Sequence, residues 1–143
     1  MIVSTESDLR ILKLDQSLLN NLYRHASIKN YACNEVLYQK GDTPHNLYIF
    51  LSGQMKISRT KEEIMHCFTG ELVGIDTNFT EICYPESIQF LSPGQMFVIP
   101  FNSFKAILMQ QPKLLDKIVD GLLKKKKIII PCFIERLNSY KNV

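Results

Sequence analysis

Asn34-Glu-Val-Leu-Tyr-Gln-Lys-Gly-Asp-Thr-Pro-His-Asn-Leu-Tyr-Ile-Phe-Leu-Ser-Gly-Gln-Met-Lys-Ile-Ser58, followed by Thr69-Gly-Glu-Leu-Val-Gly74, is the stretch on which the fold turns. Leu47, Ile49 and Leu51 alternate with Tyr48 and Phe50, the period-two mark of a strand. Met55 and Ile57 alternate with Gln54, Lys56 and Ser58, which predicts a strand with one wet face. Gly41-Asp42 and Gly53 read as turns between these strands. The second run is a glycine-bracketed turn carrying one acidic side chain, Glu71.

The same alternation continues outward. Ile64, His66 and Phe68 alternate against Met65 and Cys67, and Ile88 and Phe90, then Met96 and Val98, flank a Pro93-Gly94 turn. Many short strands separated by turn residues predict a β-sandwich or jelly roll. Before it, Asp15 stands as N-cap ahead of Leu18, Leu19, Leu22 and Tyr23, predicting a short amphipathic helix. After Pro100 the period lengthens. Phe101, Phe104, Ile107 and Leu108 predict a short helix. Pro112 then leads into Leu115, Ile118, Val119, Leu122, Ile129, Phe133, Leu137 and Tyr140, a long C-terminal helix with one apolar seam. Pro131 cannot donate to the carbonyl of Lys127, so a kink or break is expected there.

The fold class expected is mainly β with flanking helices: a double-stranded β-helix (jelly roll) followed by a long C-terminal dimerisation helix. Residues 1–110 form the jelly roll with its N-terminal helix, and residues 111–143 the dimerisation helix.

Composition narrows the function. The chain has 143 residues, 45% of them hydrophobic, enough for a single core. A net charge of +3 is too mild to argue for nucleic acid. Cys33, Cys67, Cys83 and Cys132 show no paired spacing, which favours reduced thiols. No basic-then-apolar leader opens the chain, and no aliphatic run approaches the roughly 20 residues of a membrane span. A cytoplasmic protein with no membrane partner is expected.

In order and spacing, these elements resemble the effector-sensing, cyclic-nucleotide-binding-like domain of the CRP/FNR superfamily of transcription regulators. The first strand pair looks like that family's G-E-x-[IL]-x-x-x-G-D-x-x-x-x-[LI]-Y-x-[IVL]-x-x-G pattern, with Asn34 where the first glycine is common. Gly70-Glu71-Leu72 resembles the start of its phosphate-binding cassette. Tyr84-Pro-Glu-Ser-Ile-Gln-Phe-Leu91 and Met96-Phe-Val-Ile-Pro100 resemble the strand pair that follows. The resemblance implies an effector pocket around Gly70, Glu71, Leu72, Tyr84, Pro85 and Ser87.

In members that bind cyclic AMP, an arginine and a serine or threonine at the far end of the cassette hold the phosphate. A buried phosphate needs cations or clustered N–H donors to replace its hydration. Here the arginine position falls on Tyr84 and the next on Pro85, with Glu86 adding negative charge. Cyclic nucleotide is therefore not an expected ligand, and the cassette resembles the FNR-like branch. Glu71 either meets a ligand hydroxyl or is a turn residue facing solvent.

Other cofactors find little support. An iron–sulfur cluster needs four convergent thiolates, usually closely spaced, and the four cysteines are scattered. Cys67 and Cys83 are read as small core residues in strands, leaving Cys33 or Cys132 as a candidate redox-responsive thiol. His25, His45 and His66 do not make the H-x-H…H pattern of a metal-dependent cupin, and haem would need one of them in an apolar pocket. Neither haem, cluster nor metal is expected, and the chain is not read as an enzyme. Lys124 to Lys127 is read as a solvated charge run.

A helix of about 30 residues is about 45 Å long, more than one small jelly roll covers. A second copy is the simplest cover for its seam, with Leu115, Ile118, Val119, Leu122, Ile129 and Phe133 as interface residues. The leading reading is thus the sensory and dimerisation domain of a CRP/FNR-type regulator. It forms a homodimer, meets DNA only through a domain absent from this chain, and answers an effector the residues do not name. The alternative is a standalone degenerate domain acting as a protein-interaction module.

Overall fold

The computed structural model describes residues 2–3, 11–80 and 82–125. Among these residues two five-stranded sheets face each other, and four helices cover one of them. The first sheet runs in the order β1 (Ile2–Val3), β7 (Glu62–Met65), β6 (Met55–Ser58), β9 (Ser87–Phe90), β4 (Val36–Tyr38). The second runs β2 (Ile11–Leu12), β8 (Leu72–Val73), β5 (Asn46–Ser52), β10 (Gly94–Pro100), β3 (Ser27–Tyr31). Neighbours pair antiparallel except β1 with β7, which is parallel. Strands adjacent in sequence repeatedly fall in different sheets, which is the jelly-roll arrangement expected from the turn spacing.

The alternation in β5 explains the layering. Successive strand side chains point to opposite faces. Leu47 and Ile49 face the helices, together with Leu72 and Ile99, and are fully buried there. Tyr48 and Phe50 face the other sheet, where Met55, Ile57, Ile88 and Phe90 meet Val73 and Met96. The second sheet is apolar on both sides, whereas the first keeps a wet outer face. On that face Lys56 Nζ lies 3.1 Å from Glu62 Oε1. Met65 points inward while Ile64 and Phe68 are left partly or largely in water (38% and 61% exposed).

The helices are α1 (Gln16–Tyr23), α2 (Ile75–Thr80), α3 (Phe101–Gln110) and α4 (Pro112–Lys125). Asp15 occupies the N-cap of α1 with extended backbone, so the helix starts where the sequence predicts. Leu19 and Leu22 of α1, Phe104 and Leu108 of α3, and Leu114, Leu115, Ile118 and Leu122 of α4 share one cluster over the second sheet. That cluster spans the division at residue 110, so α4 is packed as part of the same core up to its last described turn. Pro131, Ile129, Phe133 and Cys132 lie outside the described residues, as do the side chains of Lys124 to Lys127.

Among the described residues five positions have left-handed backbone, Asn34 and Gly53 among them. Asn34 has φ +71°, a conformation asparagine tolerates better than most other side chains. Gly53 (φ +107°) reverses the chain between β5 and β6, and a Cβ there would lie 2.8 Å from Gly94 Cα. The two glycines let the β5–β6 and β9–β10 turns touch backbone to backbone.

Candidate functional site: a tyrosine-lined recess

The loop between β4 and β5 and the loop between α2 and β9 are stitched together by main-chain bonds. The Gly41 N–H donates to the Tyr84 carbonyl, and the Tyr84 N–H donates to the Asp42 carbonyl, both at 2.9 Å. The Lys40 N–H donates to Ser87 Oγ at 2.8 Å. Asp42 Oδ2 accepts from the Gln39 N–H at 3.0 Å and holds its own turn. These contacts carry Tyr84 onto Tyr38 of β4, the rings stacking with centroids 3.6 Å apart and planes 8° apart. Tyr48 of β5 leans on the pair, its centroid 6.4 Å from that of Tyr38.

The stack needs Gly74. Its φ is +78°, and a Cβ there would press on both rings, 3.2 Å from Tyr38 Cε2 and 3.2 Å from Tyr84 Cε1. Gly74 thus ends β8, opens α2 and leaves room for the tyrosines in one stroke.

Beside the stack is a recess of about 300 Å³. Its aromatic wall is Tyr38, Tyr48 and Tyr84; its other wall is the loop side, with Asp42, Thr43, His45 and Asn46. Among the described residues no lysine or arginine lines it. Glu86, only 1% exposed, sits behind the aromatic wall with its Oε1 3.5 Å from the Tyr38 hydroxyl. Tyr84 Oη is buried and has no hydrogen-bond partner among the described residues. Burial pushes the Tyr84 phenol far above the usual tyrosine range, and Tyr48, Asp76, Asp42 and Glu86 push it the same way. Burial also raises Tyr31 strongly, with Tyr48 and Glu35 adding to it.

The residues singled out from the sequence fall into two places. Tyr84, Pro85 and Ser87 belong to the recess side: Tyr84 lines it, Ser87 anchors the backbone of Lys40, and Pro85 is exposed. Gly70, Glu71 and Leu72 lie in the turn into β8. Gly70 has φ +93° and is packed by Leu19 and Tyr23 of α1. Glu71 is buried, and its Oε1 accepts the Phe68 N–H at 2.6 Å, so it closes the turn that carries it. Leu72 is buried in the helix-side cluster, away from the recess. Among the six, Tyr84 alone lines the recess.

Of the seam residues, Leu115, Ile118 and Leu122 are buried inside the chain's own core and Val119 packs half-buried against it. The reason is geometric: the outer face of the second sheet is apolar, and α4 lies within its reach.

The cysteine reading needs correction, since neither Cys67 nor Cys83 lies in a strand. Cys83 is exposed in the turn before β9, not a core residue, because that strand starts only at Ser87. Cys67 is partly buried just past the end of β7. Cys33 is exposed, its thiol 3.1 Å from the Leu91 carbonyl. His25, His45 and His66 are all exposed.

Sequence reasoning missed Tyr38, Tyr48, Asp42, Thr43, His45 and Asn46 as a group. The tyrosines are far apart in sequence, and their only signal was the tight Gly41-Asp42-Thr43-Pro44 turn that brings the loop back over β4.

Comparison with known proteins comes to the same fold. A family model described as "Cyclic nucleotide-binding domain" matches residues 28–111. No curated protein sequence matches the chain. Among solved structures, the Catabolite Activator Protein of Thermus thermophilus aligns with a TM-score of 0.68 at 17% identity, over 80% of this chain and 56% of that one. The N-terminal domain of a transcriptional regulator from Streptomyces coelicolor aligns at 0.65 and 18% identity, over 80% of this chain and 83% of that one. The sensor domain of the transcriptional regulator DNR from Pseudomonas aeruginosa aligns at 0.64 and 20% identity, covering 79% and 83%. The chain spans little more than half the length of the Thermus protein, at 56%.

Proposed function

Because the chain belongs to the cyclic nucleotide-binding domain family, we propose that it is the sensory domain of a CRP/FNR-type transcription regulator that has lost cyclic-nucleotide binding. The observation carrying this is the stacked Tyr38–Tyr84 pair backed by buried Glu86. At the sequence position where relatives place an arginine, this chain buries a neutral ring beside carboxylates. An anionic phosphate brought there would lose its hydration and find no lysine or arginine among the described lining residues.

Signalling in this reading is a population shift. An effector held by the jelly roll moves the equilibrium between two settings of α3 and α4 only as far as it binds them differently. We assign DNA reading to none of the residues of this chain and no catalysis to any of them. A homodimer belongs to the same proposal. Since Leu115, Ile118 and Leu122 serve the chain's own core, the interface falls to the continuation of the seam at Ile129 and Phe133. The cytoplasm is the compartment that fits a regulator, and among the described residues no helix is long and apolar enough to cross a membrane.

Calorimetry with cyclic AMP and cyclic GMP tests the central point. We expect no binding tighter than about 1 mM; a micromolar dissociation constant for either nucleotide refutes the proposal.

A further inference from the structure

Strand β3 closes the second sheet, and among the described residues it has a neighbour on one side only, β10. Its register with β10 runs unbroken from Tyr31 opposite Gly94 to Ser27 opposite Val98. In such a pair alternate residues turn their N–H and C=O groups away from the partner strand. The rim of β3 is therefore a hydrogen-bonding ladder about 17 Å long, at about 3.4 Å per residue, with no proline to interrupt it. Ser27, Ile28, Lys29 and Asn30 are exposed along it, Ile28 by 53%. Sheet rims of this kind are commonly guarded by a lysine. Here Lys29 Nζ lies 4.8 Å from the centre of the Tyr31 ring, along the face of the sheet and not across the ladder.

The two sides of the rim differ in chemistry. Ile28 stands opposite Phe97, whose ring centroid is 4.4 Å from that of Tyr23, so the helix side is apolar. Lys29 stands opposite Met96 and projects to the other side. Charge then fixes a sign. Arg24 and His25, both exposed, lead into the strand, and from Gln16 to Asn34 the chain carries no Asp or Glu. The nearest carboxylate along the chain, Glu35, is turned back onto the Ala32 N–H at 3.0 Å.

We propose that the rim of β3 takes an extended acidic segment of a partner protein as a sixth strand of this five-stranded sheet. An apolar side chain of that segment lies beside Ile28 and a carboxylate beside Lys29. Main-chain bonds hold an extended chain at such a rim, and opposite charge across the strands selects the acidic one. A second copy of β3 is the poorer occupant, because it brings the same basic residues with it and like charges opposed across strands repel.

The test titrates three end-blocked peptides into the full chain at about pH 7 and low salt, where exposed charges are least screened. They are Glu-Val-Glu-Val-Glu, Lys-Val-Lys-Val-Lys, and the acidic peptide N-methylated at every residue. The backbone amide resonances of Ser27 to Tyr31 are followed. The acidic peptide is expected to shift them saturably with a millimolar dissociation constant. The basic peptide should bind at least about fivefold more weakly. The methylated peptide keeps the charge but cannot donate to a ladder, and should leave these amides unmoved. Lys29→Glu, at an exposed position, should cut the acidic peptide's advantage at least about threefold. No shift in β3, equal binding of the acidic and basic peptides, equal binding of the methylated form, or an undiminished preference in Lys29→Glu overturns the proposal. Shifts confined to these amides on diluting the chain alone overturn it too, and give the rim to a second copy.

Discussion

Tyr84 concentrates the chemistry of this domain in one side chain. Its hydroxyl is buried without a partner, so removing it removes an unmet polar group rather than a bond. Tyr84→Phe is therefore expected to leave stability at pH 7 unchanged or raise it by up to about 1 kcal/mol in urea unfolding. A loss of more than about 1 kcal/mol would mean the hydroxyl has a structural bond. The pH dependence follows from the raised phenols of Tyr84 and Tyr31. Their folded values lie above the unfolded one, so the unfolded chain releases protons first. Their contribution is complete below about pH 10 and declines as pH rises above it. Unfolding free energy should thus fall progressively as pH rises above about pH 10, and less steeply in Tyr84→Phe. Gly74→Ala places a methyl against both stacked rings at a left-handed φ. It should cost about 1–3 kcal/mol and perturb the tyrosine near-ultraviolet dichroism.

At the scale of elements, periodicity revealed which faces are apolar but not what covers them. Leu47-Tyr-Ile-Phe50 announced a strand, yet nothing in the alternation said that both of its faces are buried. The α4 seam was legible for the same reason and incomplete in the same way. Leu115, Ile118 and Leu122 repeat at helical spacing whether a sheet or a second copy lies opposite. Other elements left no readable trace. Helix α2 has only six residues, with Asp76, Thr77 and Asn78 in its middle, too short and too polar for a period. Strands β1 and β2 have two residues each, and two residues carry no alternation. Of the site, Tyr84 was found through the cassette pattern, while the residues around it depend on loop closure across the sheet.

The two halves of the seam now separate by experiment. Ile118→Ala removes a fully buried side chain and should cost about 2–5 kcal/mol without changing the mass of the native particle. Paired Ile129→Ala and Phe133→Ala should instead lower the mass measured by light scattering towards that of one chain. If the pair leaves a dimer intact, the interface lies elsewhere.

For the whole molecule, the two apolar clusters have the second sheet in common. Neither can open without exposing the other's floor, which is the condition for a single cooperative transition. The chain contains no tryptophan and six tyrosines, of which Tyr31, Tyr38, Tyr48 and Tyr84 belong to the inter-sheet cluster. Tyrosine fluorescence therefore reports mainly the inter-sheet layer, with Tyr23 of α1 on the helical side, and far-ultraviolet helical dichroism reports the other. Urea curves from the two signals should superimpose; separated midpoints would mean that the helical layer unfolds on its own.

Tyr48 forms part of the recess wall, while the residues on either side of it, Leu47 and Ile49, abut the helices. A single peptide unit thus separates the recess from the compartment holding α4. β5 is a bulkhead, one plate with a compartment on either side.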